Sequence, residues 1–498
     1  MIENLIAGLV YSFSPSIFIF IFAGVAGGII IGALPGLTAT MGVAVLLPLT
    51  FGLDAGPSFA MLLGVYVGAI YGGAIAAILL KTPGTPAAAA TVLDGYAMTQ
   101  KGEAAKAMTV STTASFTGGM ISTIVLITIS PILAKAALRF AAPEYFMLAI
   151  FGLTIIGGIS GSNPLKGLIA GMFGLILCTV GLDPITSAQR FTFGNINLYG
   201  GLSLIPVLIG LFALSEAFVQ METIRNEDKT KLSVKFDRGY MKFKELIKLL
   251  PTMIKSGIIG TAIGVIPGAG ADIAAFVTYN EARRSSKEPD SFGKGNPKGI
   301  AAPEAGSSGV TGGAMVPLLS LGVPGDAVAA VLLGALIIQG LQPGPLLFQE
   351  HSDVVYGIFS TLIISNILVI ILGLLGIKLF CRVVELPKPF IISVIIILSI
   401  VGSYAMNNNI FDVWMCLLFG VIGYGFQKGG IPASPIILAL ILGPMAESNL
   451  RRALLMYEGS YSFIWTRPIS IVFLILIGLS IYSMVKKMKA DKAKQIKS

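Results

Sequence analysis

The chain has 498 residues, of which 12% are charged and 55% are hydrophobic, and its mean hydropathy is +0.86. Average proteins carry about 25% charged residues, so this composition excludes an ordinary soluble fold. The net charge is +9, but the basic residues cluster in loops beside apolar segments, as the positive-inside pattern of membrane proteins predicts. We therefore expect no nucleic-acid partner.

The uncharged segments predict an all-α polytopic membrane protein. Most of them have the roughly 17 to 25 residues of a spanning helix. Runs without Asp, Glu, Lys or Arg include 4–53, 108–134, 145–165, 191–215, 327–349, 354–377, 389–411 and 468–485. Because these runs are continuously apolar and lack the alternation of a barrel strand, we predict about a dozen helical membrane segments.

One long polar stretch divides the chain into two nearly equal halves. Residues 222–248 carry Lys or Arg at eight positions. An excess of basic residues marks cytoplasmic loops, so this stretch and the basic C-terminal tail are predicted to face the cytoplasm. The predicted units are a first membrane repeat (1–220), a cytoplasmic connector (221–255), a second membrane repeat (256–465), and a terminal membrane helix with a basic cytoplasmic tail (466–498).

Two motifs recur in the same order in the two halves. "IGALPGLTAT" (31–40) aligns with "IGVIPGAGAD" (263–272). "YGGAIAAILLKTPGTPAAAA" (71–90) aligns with "TGGAMVPLLSLGVPGDAVAA" (311–330) after a gap of one residue. The matching Pro-Gly pairs and the flanking Gly-Gly-Ala predict that the halves are structural repeats.

The loops beside these motifs carry opposite charge bias. "EARRSSKEPDSFGKGNPK" contains five basic residues, whereas its counterpart "FGLDAGPS" contains none. Equivalent loops on opposite sides of the membrane indicate an inverted-topology repeat. Against this interpretation, Arg451, Arg452 and Arg467 fall in a loop that the scheme places outside.

The repeated Pro-Gly pairs predict helices that break within the membrane. Proline cannot continue the hydrogen-bond ladder of a helix, and glycine weakens it. Paired breaks in both halves indicate re-entrant hairpins and a transport site at mid-membrane, although Pro and Gly also produce simple kinks. The breaks are expected at Pro35-Gly36, Pro83-Gly84, Pro267-Gly268 and Pro324-Gly325.

The breaks and their small polar neighbours are the predicted substrate site. Half-helix N-termini offer free N–H groups and a positive dipole end to a carboxylate, and hydroxyl and carbonyl oxygens suit sodium. The predicted substrate-binding residues are Pro35, Gly36, Thr38, Thr40, Thr82, Gly84, Thr85, Pro267, Gly268, Ser307, Ser308 and Gly325.

Acidic residues near the breaks are the predicted cation-coupling groups. Ionisable residues in membrane segments are costly and usually functional, which favours Asp272, Glu304 and Asp326. Asp272 is alternatively a helix N-cap, and Asp94-Gly95 is alternatively a turn. Lys81 can neutralise an anionic substrate or extend to the lipid headgroups; we favour the second interpretation.

The cysteines and the histidine indicate no metal centre. Cys178, Cys381 and Cys416 lie far apart in apolar runs, without the spacing of a disulfide framework or a metal site. His351, the single histidine, lies beside two acids in "FQEHSD", as is typical of a solvated side chain, so we expect neither a histidine-based metal site nor a triad. We expect no cofactor and no metal beyond a coupling sodium ion, with a proton as the alternative.

Four segments together resemble the large membrane subunit of tripartite tricarboxylate transporters. They are "GALPGLTATMGVAVLLPLTFGL", "YGGAIAAILLKTPGTPAAAATVLDGYAM", "GVIPGAGADIAAFVTYNEARRSSKEPDSFGKGNPKGIAAPEA" and "GGAMVPLLSLGVPGDAVAAVLLGALIIQGLQPGPLLF". The resemblance implies a multi-pass protein of the bacterial inner membrane that works with a small four-helix membrane subunit and a periplasmic solute-binding protein. The family commonly has an asparagine before the Thr-Pro-Gly of the second break, where this chain has Lys81. It commonly has an Asn-Asn pair after Pro-Glu-Ala-Ala, where this chain reads Gly306, Ser307 and Ser308.

The resemblance and the breaks predict the large transmembrane subunit of a binding-protein-dependent transporter. It would import a tricarboxylate or related organic anion by cation symport with alternating access. A membrane-embedded enzyme and a channel are the alternatives. The sequence contains no Ser-His pair and no close pair of acids on one helix face, as an enzyme would need, and no filter sequence typical of a channel.

Overall fold

The computed structural model describes residues 2–159, 164–183, 185–223, 239–376 and 388–495. Within these ranges the chain is helical almost throughout, which confirms the predicted all-α class. Cys381, residues 224–238 of the predicted connector and the end of the C-terminal tail lie outside the described residues. The predicted boundary of the connector at residue 255 falls inside a helix that begins at residue 243.

Eight described helices are long and apolar enough to cross a membrane, so the protein is a multi-pass membrane protein. Shorter apolar helices accompany them, and the expected count of twelve segments in two repeats stays a prediction. The candidate spans are Pro15–Ala33, Ala55–Leu80, Ala104–Ala137, Leu204–Glu222, Phe243–Val265, Ser352–Leu375, Pro389–Asn407 and Ile410–Lys428.

The first half contains ten α-helices, and a π-helix (Ile209–Leu214) joins the last two. The short 3₁₀ helices are Leu47–Thr50, Pro86–Ala89 and Ile196–Leu198, and Gly181–Leu182 pairs antiparallel with Gln189–Arg190. The helices are α1 (Ile2–Ser12), α2 (Pro15–Ala33), α3 (Ala39–Leu46), α4 (Ala55–Leu80), α5 (Val92–Gln100), α6 (Ala104–Ala137), α7 (Ala142–Ile159), α8 (Pro164–Leu177), α9 (Leu204–Leu208) and α10 (Ser215–Thr223).

The second half is built from further helices and a 3₁₀ turn, Pro289–Ser291. The described helices are α11 (Phe243–Val265), α12 (Gly270–Arg284), α13 (Lys298–Leu321), α14 (Ala327–Ile338), α15 (Leu347–Glu350), α16 (Ser352–Leu375), α17 (Lys388–Asn407), α18 (Ile410–Lys428), α19 (Ser434–Met456), α20 (Phe463–Thr466) and α21 (Pro468–Gln495).

Glycine residues allow the long helices that precede the breaks to pack closely against one another. In the first half α2 packs along α4, and a Cβ on Gly28 or Gly68 would overlap the backbone of the facing helix. In the second half α11 packs along α13, and a Cβ on Gly260 or Gly313 would do the same. Small residues let membrane helices approach closely, so the two halves use the same device at corresponding places.

The short elements that follow the breaks pack between the halves. Helix α3, after the first break, contacts α14, after the fourth. The 3₁₀ helix Pro86–Ala89, after the second break, contacts α12, after the third. A buried cluster that includes Ala90, Tyr279 and Phe292 fills this second contact. Each half therefore supplies one element to each of two junctions, as a two-fold related pair of repeats would.

Several arginines of the last third form ion pairs with acids of the first half. Arg451 lies 2.9 Å from Asp183 and 2.6 Å from Glu447, and Arg190 lies 2.7 Å from Glu447. Backbone N–H groups of the following turn hold the pKa of Asp183 well below its ordinary value. These contacts attach the strand pair to α19.

Arg467 makes a similar contact with Glu144 at the start of α7, at 2.5 Å. Two of the three arginines that oppose the inverted scheme are thus bound to acids of the first half. Basic residues count toward topology whether or not they are paired, so the inverted orientation stays a prediction.

Candidate functional site

The first break separates α2 from α3 at Leu34–Thr38, where the prediction placed it. Gly36 adopts a φ of 88°, which favours glycine, and it is exposed, while Pro35 is half-buried. Thr38 caps α3, because its hydroxyl accepts the N–H of Met41 at 3.1 Å. Thr40, in the first turn of α3, is buried.

The second break follows α4, which ends at Leu80, so this prediction is also confirmed. Gly84 is buried, and its N–H donates to the carbonyl of Gly73 at 3.1 Å. Thr82 is exposed, whereas Thr85 is 2% exposed and its hydroxyl finds no hydrogen-bond partner among the described residues. A buried hydroxyl without a partner is costly and indicates a site for something the chain does not itself supply.

The third break lies between α11 and α12, again as predicted. Pro267 and Gly268 are buried, and the N–H of Gly268 donates to the carbonyl of Gly325. Asp272 is exposed in the first turn of α12. The N-cap of that helix is Ala269, so the alternative reading of Asp272 as the N-cap is wrong.

The fourth break follows α13 and confirms the last of the four predicted positions. Asp326 is the N-cap of α14, with its carboxylate accepting the N–H of Ala329 at 2.7 Å. The same carboxylate accepts the hydroxyl of Tyr66 from α4 at 2.6 Å.

The breaks meet in pairs within each half. A Cβ on Gly84 would overlap the carbonyl of Gly32, next to the first break. A Cβ on Gly325 would lie 2.5 Å from the carbonyl of Gly264, next to the third break. Valine or alanine at either position would push the paired breaks apart, since the obstacle in each case is backbone.

Ser307 and Ser308 lie in the body of α13, where both are buried. The segment after α13 folds back along the helix, because a Cβ on Gly325 would lie 2.5 Å from the Cα of Ala314. Ala314 is six residues from Ser308, about 9 Å along the helix. The hydroxyl of Ser307 donates to the carbonyl of Glu304 at 3.2 Å, so the serines lie between the fourth break and a predicted coupling residue, and their role in substrate binding stays a prediction.

Glu304 is 1% exposed and is surrounded by hydroxyl groups of the first half. Thr91 donates to its carboxyl group at 2.5 Å, Ser115 at 3.2 Å and Ser111 at 3.3 Å. Thr91 immediately precedes α5, and the two serines project from α6. Sequence reasoning missed these three residues, because hydroxyls are ordinary in membrane helices and the partners are distant in sequence.

Asp94 is fully buried and lies in a cage of N–H donors. It accepts the backbone N–H of Gly293, Gly295 and Asn296 at 2.7 to 3.0 Å and the hydroxyl of Tyr279 at 3.0 Å. Asp94 is a residue of α5, so the alternative prediction of a turn at Asp94-Gly95 is wrong. The carboxylate fastens the loop after α12 to the first half.

Two further polar groups adjoin the breaks. Lys81 ends α4 with a φ of 62°, is exposed, and places its ammonium group 5.9 Å from the ring centre of Tyr96. The Gln220 amide approaches Gly36 from α10 and donates to Glu216 at 3.3 Å. Glu216 directly follows the uncharged run 191–215, and an acid at that position could have indicated from the sequence that this helix contributes polar groups near the first break.

The remaining candidates do not form a site in the part of the chain that the structure describes. Cys416 is buried and Cys178 is partly buried, and no group of three His, Cys, Asp or Glu residues is placed to hold a metal ion there. A cavity of about 530 Å³ is lined by Tyr11, Asp54 and Asp353 among others. It adjoins the N-terminal end of α4, away from the second break at the opposite end.

Comparison with known proteins identifies similar chains. The family model described as "Tripartite tricarboxylate transporter TctA family" matches residues 18–438. An uncharacterized 52.8 kDa protein in the TAR-I ttuC' 3'region of Agrobacterium vitis is 35% identical over 481 residues, covering 96% of this chain and 95% of the relative.

A second relative from Agrobacterium vitis, an uncharacterized protein in the TAR-II ttuC' 3'region, is 34% identical over 226 residues. That match covers 45% of this chain and 92% of the relative. No solved structure matches the chain.

Proposed function

Because the chain belongs to the tripartite tricarboxylate transporter TctA family, we propose that it is the large transmembrane subunit of a binding-protein-dependent secondary transporter. The transporter imports a tricarboxylate or related organic anion across the bacterial inner membrane by cation symport with alternating access. The family is a transporter family, not an enzyme family. The predicted sodium ion or proton supplies the driving force.

The proposed partners follow from the same assignment. A periplasmic solute-binding protein delivers the carboxylate, a small four-helix membrane subunit completes the complex, and the lipid bilayer surrounds the apolar helices. The candidate spans of the described residues support the last of these.

The observation that carries the proposal is the buried hydroxyl of Thr85 beside the second break. It has no partner among the described residues, although the surrounding backbone groups are paired closely. A carboxylate oxygen has lone pairs that would accept this hydroxyl. The exposed Gly36 and Thr82 and the N-terminal turn of α3 lie at the paired breaks of the same half, so the substrate carboxylate is proposed to bind there.

The second half is proposed to take part after a change of conformation. The N–H of Gly268 already donates to Gly325, and Gly325 is buried. Breaking this bond would free an N–H donor at the third break for a carboxylate. Alternating access between two such arrangements gives the paired breaks a function that simple kinks would not have.

Transport in proteoliposomes tests the proposal. The full-length chain, reconstituted with any subunits that co-purify, should take up radiolabelled carboxylates against a gradient when a sodium or proton gradient is imposed. Uptake that only equilibrates the carboxylate would indicate a channel. Disappearance of the carboxylate with formation of a new compound would indicate an enzyme.

Thr85→Val sharpens the test, because valine keeps the shape and removes only the unpartnered hydroxyl. We expect unchanged or slightly higher thermal stability and a rise in the KM for uptake of about tenfold, corresponding to about 1.4 kcal/mol. The control is Thr109→Val, since the equally buried Thr109 hydroxyl already donates to the carbonyl of Ala105. An unchanged KM in Thr85→Val would remove Thr85 from the substrate site.

A further inference from the structure

We propose that Glu304 is the site of the coupling ion and that this ion is a proton, carried by the carboxyl group within its ring of hydroxyls. The inference rests on the proposed transport function, but the binding of the proton is testable without transport. Glu304 belongs to α13 of the second half, whereas Thr91, Ser111 and Ser115 belong to the first. The carboxyl group therefore joins the two halves.

Burial without a counter-charge is the first argument. Glu304 is 1% exposed, and no Lys, Arg or His lies within ion-pair distance among the described residues. An isolated buried carboxylate is unfavourable by many kcal/mol and becomes neutral instead. Some cation must therefore accompany Glu304 when the site is closed.

The charged and titratable groups on the neighbouring helices face other partners. Lys106 of α6 pairs with Glu103 at 2.7 Å, and Lys255 of α11 pairs with Glu281 of α12 at 2.7 Å. Tyr279 of α12 donates to Asp94 of α5, whose carboxylate already accepts three backbone N–H groups. The tyrosine of α4 nearest to α6, Tyr71, shares a hydrogen bond with Thr112 at 2.9 Å. Because these groups contact other partners, we infer that a bound ion neutralises the charge of Glu304.

The hydrogen bonds of the carboxyl group favour a proton over a metal ion. All three hydroxyl groups contact the carboxyl oxygens directly, at 2.5 to 3.3 Å, and a hydroxyl that donates to the carboxyl group directs its hydrogen atom, not a lone pair, into the site. A proton needs one oxygen to bind and one to accept its hydrogen bond. The 2.5 Å separation between Glu304 and Thr91 supplies that pair.

Proton binding at Glu304 would change the hydrogen bonds of a segment that reaches the proposed substrate site. An ionised carboxylate accepts from all three hydroxyls, but a protonated carboxyl group becomes a donor, so one hydroxyl must turn to accept. Thr91 is the closest, and it lies six residues after Thr85 at the end of the segment that contains the second break. Protonation therefore changes the hydrogen bond that anchors this segment to the second half.

Infrared spectroscopy of the purified full-length chain tests proton binding directly. At about pH 6, where exposed acids with pKa values near 4 are ionised, the wild type should show a protonated-carboxyl band that Glu304→Gln lacks. The matched control Asp290→Asn, at an exposed acid, should keep the band. Absence of the band in the wild type, or its persistence in Glu304→Gln, would overturn the proposal.

Two further measurements test proton binding at Glu304 even if the Glu304→Gln variant fails to fold. Thr91→Val, which removes the closest hydroxyl, should move the pH midpoint of the band by about one pH unit, the equivalent of one hydrogen bond to a charged group. At constant pH, sodium chloride should leave the protonated-carboxyl band of the wild type unchanged. The control is the same concentration of choline chloride. Loss of the band on adding sodium, or no change of midpoint in Thr91→Val, would overturn the assignment.

Transport then separates this inference from the proposed function. In proteoliposomes an imposed pH gradient should stimulate carboxylate uptake by the wild type and by the control Asp290→Asn, but not by Glu304→Gln. A wild type that shows the band but transports no carboxylate would refute the proposed function and leave the proton site standing. Full gradient-driven uptake by Glu304→Gln would refute the coupling role.

Discussion

Asp94 and Glu304 are two buried carboxyl groups beside α13 with opposite surroundings. Asp94 accepts three backbone N–H groups and one phenol, whereas Glu304 accepts three aliphatic hydroxyls. A backbone N–H can only donate, so the cage around Asp94 uses its carboxyl group as an acceptor in a fixed geometry. A hydroxyl can donate or accept, so the ring around Glu304 can serve either form. The type of hydrogen-bond donor, rather than the depth of burial, therefore distinguishes the structural role of Asp94 from the proposed proton-binding role of Glu304.

The largest expected effect is on the Asp94 cage. Asp94→Ala leaves three backbone N–H groups of the loop after α12 without their acceptor, at about 1 to 3 kcal/mol each. We expect a loss of stability of at least about 3 kcal/mol, seen as a lower midpoint in thermal unfolding of the detergent-purified protein. Asp290→Ala, at an exposed acid of the same loop, should change little. Similar midpoints for the two variants would show that the cage does not hold the loop.

A smaller effect is expected from the phenol alone. Tyr279→Phe removes one hydrogen bond to a charged acceptor and keeps the aromatic contact with Phe292. The expected loss is about 1.5 kcal/mol. The same unfolding assay, with the half-exposed Tyr404→Phe as reference, measures it. A loss as large as that of Asp94→Ala would mean that the hydrogen bond from the phenol, rather than those from the backbone N–H groups, dominates the cage.

The smallest effect is expected at the hydroxyl ring. Glu304→Gln replaces the carboxyl group by an amide that can accept from two hydroxyls and donate to the third, so stability should change by less than about 1 kcal/mol. Comparison of its unfolding midpoint with that of Asp94→Ala gives the contrast directly. If both variants lost stability equally, Glu304 would be a fixed acceptor like Asp94, and the distinction between the two sites would fail.

Much of the fold was predictable because its causes are local. Each Pro-Gly pair removes a backbone donor inside an apolar run, and all four lie at helix breaks. The site was less predictable. Thr85 was named on its position beside a break, but its lack of a partner depends on packing that the sequence does not display. Ser307 and Ser308 were named on their composition, and only the packing shows that the fourth break folds back against Ala314, about 9 Å along α13 from Ser308.

The sequence by itself determined the membrane class, the helical content and the four breaks, since hydropathy and the missing N–H of proline act within a few residues. The tertiary structure decided the roles of the buried acids. Thr91 and Glu304 are 213 positions apart, and Asp94 and Gly293 are 199 positions apart. No local pattern records which donor faces which carboxylate, because hydrogen bonds are short and directional and depend on how helices from opposite halves pack.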